Sequence, residues 1–266
     1  MHALDAFVLI RRLWQLGYIT APNLWEALEI SESVLRQAIE RYQEFNHLMV
    51  DGWVGPETKA SLEETRFCGF PDLMPIQVGG LCRWPQKRIT WTLSGQLPGI
   101  SSEARLQAYQ RAWQSWANVC DIVPVYNPGD PAANVQIGVG AIDGGMGTLA
   151  WSELPCGNAQ TLRQLYDQSE RWVITDGITQ GQQIDLTRVA RHEIGHVLGI
   201  PHIAAGNLLA PTYRADLFDV QAGDIAEAVK RYGPSTGQPP LPPTPLEEIT
   251  VTFTRPVTKI VIRPVS

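Results

Sequence analysis

From Ala3 to about Glu64 apolar residues recur at helical spacing, as in DAFVLIRRLWQLGY and SESVLRQAIERYQEF, so the chain opens with a small all-helical domain. Ser31 or Ser33 is placed to cap the second of these helices. In FNHLMVDGWVGPETKASL, Gly52, Gly55 and Pro56 make a tight turn, and Pro56 is preorganised to start another short helix. Between Asp72 and Arg83 the periodicity fades, and Pro75 with the Gly79-Gly80 pair marks an exposed connector. Beyond it KRITWTL alternates as a strand, SSEARLQAYQRAWQSWANV is helical after a serine cap, and NVQIGVG and GTLAW read as strands. After Tyr232 comes a proline-rich extended spacer, GPSTGQPPLPPTPLEE, and then ITVTFTRPVTKIVIRPV, which alternates like a two-stranded hairpin. The expected fold class is α+β.

Composition narrows the function. At 266 residues the chain has room for one large domain or for a main domain with a smaller companion. A net charge of -6 offers no basic footprint for nucleic acid, which excludes that partner class. No run approaches the length of a membrane span, and Arg11 and Arg12 break the apolar start, so it does not read as a signal peptide. Cys68, Cys82, Cys120 and Cys156 are widely spaced without a C-x-x-C pair, which argues against a zinc ribbon or a dense disulfide scaffold.

The chemistry is concentrated in RHEIGHVLGIPH, which holds three of the five histidines. His192 and His196 are one turn apart on a helix and can reach a single ion. His202, six residues further, faces the opposite side of a continued helix, so the chain must turn. Gly199 can take the positive φ of a helix end and Pro201 forbids continuation, so His202 swings back toward the same ion. Three imidazoles leave a fourth position for water on zinc, the pattern of a catalytic site, and Glu193 can move the proton of that water.

HEIGHVLGIPH fits H-E-x-x-H-x-x-G-x-x-H and resembles the metzincin metallopeptidases, with surroundings similar to the matrixin branch from roughly Ser31 to Pro234. The resemblance implies a twisted mixed sheet with long helices, one of them the zinc helix, and a zinc endopeptidase acting on protein or peptide substrates. DGWVGPETK is similar to a peptidoglycan-binding-like helical domain that also occurs in protease propeptides, so peptidoglycan is a second candidate partner. NLLAPTYR resembles the Met-turn and specificity wall: Leu209 stands where the family has methionine, a tolerated swap, and Pro211 and Tyr213 bound the pocket for the residue after the cut. Gly147, Leu149 and Trp151 belong to the expected substrate edge strand, where a protein strand pairs by strand addition and an apolar residue enters the pocket.

RFCGFPD resembles the matrixin cysteine switch, which implies Cys68 as a zinc ligand in a latent form. Phe67 replaces a family arginine that braces the propeptide, so a looser latch is expected. DGGMGTLAW looks like the calcium loop, and the resemblance assigns Asp143, Asp167 and Glu170 to calcium. Trp151 and Leu165 stand at two histidine positions of the family's structural zinc, so one catalytic zinc and no second zinc are expected. With Cys68 assigned to zinc, at most one disulfide and one free thiol remain, unassigned among Cys82, Cys120 and Cys156. The domain boundaries are then 1–66 for the helical prodomain, 67–83 for switch and activation connector, 84–234 for the peptidase domain, 235–248 for the linker and 249–266 for the hairpin. The resemblance implies a secreted, periplasmic or cell-surface location, although the chain shows no signal peptide.

Overall fold

The computed structural model describes residues 6–64, 66–73, 81–157, 159–175 and 177–237. Most of the expected connector and all of the C-terminal hairpin lie outside these residues. The N-terminal domain holds α1 (Ala6–Gln15), α2 (Leu24–Ala27), α3 (Glu32–Phe45) and α4 (Pro56–Leu62). Ser31 is the cap of α3, its hydroxyl accepting from the Val34 amide at 3.4 Å, and Pro56 occupies the first turn of α4. Leu9, Ile10, Leu13, Ala38, Ile39, Tyr42 and Leu62 build a core of its own. The turn before α4 is organised by buried Gln43, whose amide donates to Asp51 Oδ1 and the Trp53 carbonyl while its oxygen accepts from the Asp51 and Gly52 amides.

Next come β1 (Arg66–Cys68), β2 (Arg88–Leu93), α5 (Ser102–Ala117), β3 (Val123–Tyr126), β4 (Val135–Gly140), β5 (Thr148–Ser152) and β6 (Leu162–Asp167). They are followed by β7 (Arg171–Val173), β8 (Gln183–Asp185), α6 (Leu186–Val197) and α7 (Ala222–Tyr232). The main sheet runs β1-β5-β6-β4-β2-β3, with β5 antiparallel to β6 and the other pairs parallel; β7 and β8 form a separate parallel pair. Mixed sheet, long helices and a preceding helical domain agree with the expected fold class.

Helices α5 and α6 pack on each other over a core rich in Trp91, Trp113, Trp116, Tyr109 and Tyr166. Their spacing is fixed by polar bonds as well: Trp116 Nε1 donates to the Arg191 carbonyl at 2.8 Å, and Arg191 Nε donates to Ser115 Oγ at 2.9 Å. Gly195 is what lets the helices close, because a Cβ there would lie 2.7 Å from Leu209 and 2.9 Å from the Trp116 ring. Trp151 faces Leu165 in the β5–β6 register, and Leu165 lies against Gly138 and Gly140 of β4.

One strand was not foreseen. β1, only three residues long, adds to the free edge of β5 with Arg66 opposite Thr148 and Cys68 opposite Ala150. Its other side faces the segment after α6, where the Phe67 amide donates to the Pro211 carbonyl at 2.8 Å and Arg66 bridges Thr212.

Candidate metal centre

Helix α6 starts at Asp185, whose carboxylate accepts from the Arg188 amide at 2.7 Å, and it buries nearly every residue it presents. It stops at Leu198, after which Gly199 takes φ +85 and turns the chain back. That turn cannot be widened, because a Cβ on Gly199 would run into the Cys82 carbonyl. His202 is thereby returned to the face carrying His192 and His196, as the spacing predicts.

All three histidines are buried, and each fixes one ring nitrogen on a main-chain carbonyl: His192 Nδ1 on Leu208 at 2.8 Å, His196 Nδ1 on Ile200 at 2.8 Å, His202 Nδ1 on Pro71 at 3.1 Å. The Nε2 atoms are left facing one another, with 3.1 Å between those of His192 and His196. Cys68 Sγ stands 3.4 Å from His196 Nε2 and 3.2 Å from His202 Nε2, and the four ligand atoms lie within 4.8 Å of one another. A tetrahedral zinc with N and S ligands separates neighbouring donors by about 3.3–3.5 Å, so the donor set fits that ion. Protonation fits too: burial holds His196 down to about 3 and lowers His192 and His202, leaving neutral imidazoles. Burial, and after it the charge of Glu193, pushes the Cys68 thiol up; a bound dication works in the opposite direction.

Glu193 is wholly buried beside the cluster. Its Oε2 accepts from Ser152 Oγ at 2.7 Å, while Oε1 has no partner among the described residues. Burial pushes this carboxyl up to about 8, opposed by the Ser152 hydrogen bond. Ser152, at the end of β5, carries no motif in the sequence; only its distance to Glu193 identifies it.

The segment from Arg66 to Asp72 carries an ion pair that was not foreseen. The brace absent at position 67 is supplied one residue earlier, where Arg66 pairs with buried Asp72 and also donates to the Phe70 carbonyl at 3.2 Å. Asp72 further accepts from the Tyr18 hydroxyl at 3.0 Å and lies 3.4 Å from His202 Nδ1. Phe67 stacks on His192 with centroids 4.6 Å apart and planes 12° apart, and lies 4.8 Å from Tyr213. Phe70 stacks on His196 at 4.9 Å. Two aromatic rings thus flank the thiol, each seated on a histidine of the cluster. Phe67 fills the space beside His192, Pro211 and Tyr213 in which the residue after a cut is expected.

Leu209 is buried against Gly195, and its turn is held by Asp224, which accepts from the Leu208 and Leu209 amides at 2.8 and 3.0 Å. Leu149 is buried in β5, whereas Gly147 turns tightly over the Asp143 carboxylate. Asp143, Asp167 and Glu170 come together around the 142–148 loop, bonded to its amides: Asp167 takes Ile142, Asp143 and Gly144, Glu170 takes Met146, and Asp143 takes Thr148. Burial, and then the charges of Asp167 and Asp143, raise Glu170. Cys82 and Cys156 form a disulfide, leaving Cys68 and Cys120 as free buried thiols, within the limit the cysteine count allows.

Residues 83–233 match the family model described as Matrixin, and residues 8–62 match one described as a peptidoglycan binding domain. The chain is similar to Interstitial collagenase of Sus scrofa, 31% identical over 231 residues that cover 79% of this chain and 46% of that one. It is also similar to Matrix metalloproteinase-C of Caenorhabditis elegans, at 24% over 84% of this chain and 42% of that one. Metalloendoproteinase 1-MMP of Arabidopsis thaliana is 27% identical over 88% of this chain and 70% of its own. The chain therefore spans less than half the length of the first two relatives.

Proposed function

Because the chain belongs to the matrixin family, we propose that it is a zinc-dependent endopeptidase made as a latent zymogen, in which Glu193 is the general base. The observation that carries this reading is the convergence of three histidine Nε2 atoms and Cys68 Sγ, with unpartnered Glu193 Oε1 alongside. Zinc bound by His192, His196 and His202 supplies Lewis acidity, activating water and polarising the scissile carbonyl. Glu193 takes a proton from the attacking water as the C–O bond forms and delivers it to the amine nitrogen as the C–N bond breaks. Ser152 holds Oε2, which fixes the orientation of Oε1.

Latency is supported by what β1 occupies. It covers the edge of β5 that a substrate strand would use, its Phe67 fills the adjoining pocket, and Cys68 takes the fourth ligand position. Cutting between Asp72 and Arg83 releases this segment, exposing Gly147 to Trp151 for strand addition and the pocket at Pro211 and Tyr213 for an apolar residue. Calcium at Asp143, Asp167 and Glu170 is supported by three acids gathered around one loop; burial first, and then the charges of Asp167 and Asp143, raise Glu170, and a dication would offset that repulsion. The disulfide, together with the relatives, favours an extracellular or periplasmic location. No described helix is long and apolar enough to cross a membrane.

The test is cleavage of a denatured protein by zinc-loaded chain, intact and after limited proteolysis of the connector. Activity is expected only after the cut, and Glu193→Ala lowers it by about 10²–10⁴-fold with zinc retained. Zinc uptake without cleavage in either state makes the chain a silent metal-binding protein instead.

A second reading gives the N-terminal domain a cell-wall role, supported by its match to a peptidoglycan binding domain and by exposed Trp25, Trp53 and Met49 on its surface. Retention of the intact chain on purified peptidoglycan, lost after the prodomain is removed, is the expected result; no retention leaves the domain a latch alone.

A further inference from the structure

Where the N-terminal domain meets the switch segment, the chain encloses a cleft of about 1130 Å³. Arg11, Arg12, Arg41 and Arg66 line it, against one carboxylate, Asp143. In a chain of net charge -6 this is a local inversion of sign. Arg66 is neutralised by Asp72, but among the described residues no carboxylate pairs with Arg11, Arg12 or Arg41. Arg12 Nε is buried without a hydrogen-bond partner, and burial, then the charge of Arg66, works against its protonated form. A fixed positive charge left in this state calls for an anion.

We propose that this cleft binds a polyanion bearing phosphate or sulfate groups, and that the bound polymer holds the switch segment shut. The guanidinium fork matches tetrahedral oxyanions bidentately, which favours phosphate or sulfate. Size favours a polymer over a single ion, because several cations are distributed around a space many times the volume of one oxyanion. The effect on the switch has a definite sign. Arg11 and Arg12 come from α1, Arg41 from α3 and Arg66 from β1, all before the connector, whereas Thr148 and Asp143 belong to the peptidase side of the lining. A polymer held by the arginines that also engages Thr148 past Asp143 binds best while the two sides are together, so by linkage it favours the closed arrangement. The closing effect rests on the latency proposed above, whereas binding to the cleft does not.

The test uses the full-length, zinc-loaded chain and two readouts independent of peptide cleavage. Titration with a sulfated polysaccharide, a polyphosphate and inorganic phosphate measures binding; mass spectrometry measures the rate at which Cys68 is alkylated. At least one polymer is expected to bind, with affinity falling by about tenfold or more from low to physiological salt, and to slow alkylation of Cys68. The two polymers distinguish phosphate from sulfate. Arg11 and Arg41 are exposed, so Arg11→Glu with Arg41→Glu keeps the fold and is expected to lower affinity by about tenfold or more, with Arg11→Gln and Arg41→Gln intermediate. No polymer binding at low salt, or equal binding by these variants, overturns the site. Binding of inorganic phosphate alone overturns the polymer, and unchanged or faster Cys68 alkylation overturns the closing effect. Absence of peptidase activity bears on neither readout.

Discussion

At the scale of single residues, the proposed latch is divided between Arg66 and Phe67. Arg66 carries the ion pair with Asp72, which frees position 67 for a ring that stacks on His192. Phe67 is 1% exposed, and truncating a buried Phe costs about 3–5 kcal/mol. Most of that contact exists only while the switch is closed, so Phe67→Ala should raise the open fraction by about 10²-fold or more, read as faster alkylation of Cys68. An unchanged rate would show that the thiol and Arg66 hold the segment without the ring. The same pocket should prefer phenylalanine or leucine after the scissile bond, measured on a peptide series; a preference for arginine there would contradict it. Ser152 offers a second handle, because its hydrogen bond lowers the Glu193 carboxyl against the effect of burial. As the general base proposed for it, Glu193 must be ionised to act, so activity is expected to rise as pH passes through its pKa. Ser152→Ala removes a lowering influence and should move the acid limb of the kcat/KM profile to higher pH; a purely structural role for Ser152 would lower the rate without moving that limb.

Among the elements, α6 and its turn were legible because their determinants are local: a four-residue histidine spacing, a glycine able to adopt φ +85 and a proline beyond it. β1 was not legible, since three residues have no periodicity and become a strand only by meeting β5 some eighty positions later. Ser152 with Glu193 and Cys82 with Cys156 escaped for the same reason: each pair is joined by the fold and not by spacing. The 142–148 loop was placed by its acids, but their bonds to its amides were not foreseen, and these give it a pH response. Burial opposes ionisation of Asp167, yet the Ser169, Asp143 and Gly144 amides outweigh it and its pKa is lowered. Its contribution is therefore complete above the ordinary carboxylate range and is lost as pH falls through the lowered value. Hydrogen exchange of the Ile142 to Gly144 amides should accelerate in strong acid before the α6 amides do; simultaneous loss of both would remove Asp167 as the determinant. The turn carrying Leu209 depends likewise on Asp224, and Asp224→Ala leaves the Leu208, Leu209 and Gln221 amides without their acceptor. A loss of about 1–3 kcal/mol is expected in thermal or denaturant unfolding.

For the whole molecule, the proposed activation raises the question of what would keep the histidine-cluster domain intact once residues before the connector are released. The two hydrophobic cores are separate, and among the described residues the N-terminal domain holds the switch through the Asp72 and Leu73 amides donating to the Leu16 carbonyl, the Tyr18 hydroxyl donating to Asp72, and Leu73 packed on its core, so the two leave together. What must be given up is β1: its pairing with β5, the Phe67 amide on the Pro211 carbonyl, and the buried Phe67 and Cys68 side chains that pack into the peptidase core. The chain beyond the connector is fastened more firmly. Trp84 Nε1 donates to the Val197 carbonyl at 2.9 Å, Tyr232 spans from the Trp84 amide to the Leu198 carbonyl, and the Cys82 carbonyl lies against Gly199. The Cys82–Cys156 bond then ties this entry point to the loop after β5, closing 74 residues of sequence separation. In the chain-entropy account such a closure contributes about 4 kcal/mol, through the unfolded state. A cut before Cys82 leaves the bond inside the released domain, so the active form should keep its support at the end of the zinc helix, and reduction should remove it. The expected outcome is a lower thermal midpoint of the connector-cut domain after reduction, reproduced by Cys82→Ser with Cys156→Ser, while the N-terminal domain, which has no cysteine among residues 1–66, unfolds unchanged. A midpoint indifferent to reductant would mean that Trp84, Tyr232 and the Gly199 contact hold the entry point alone.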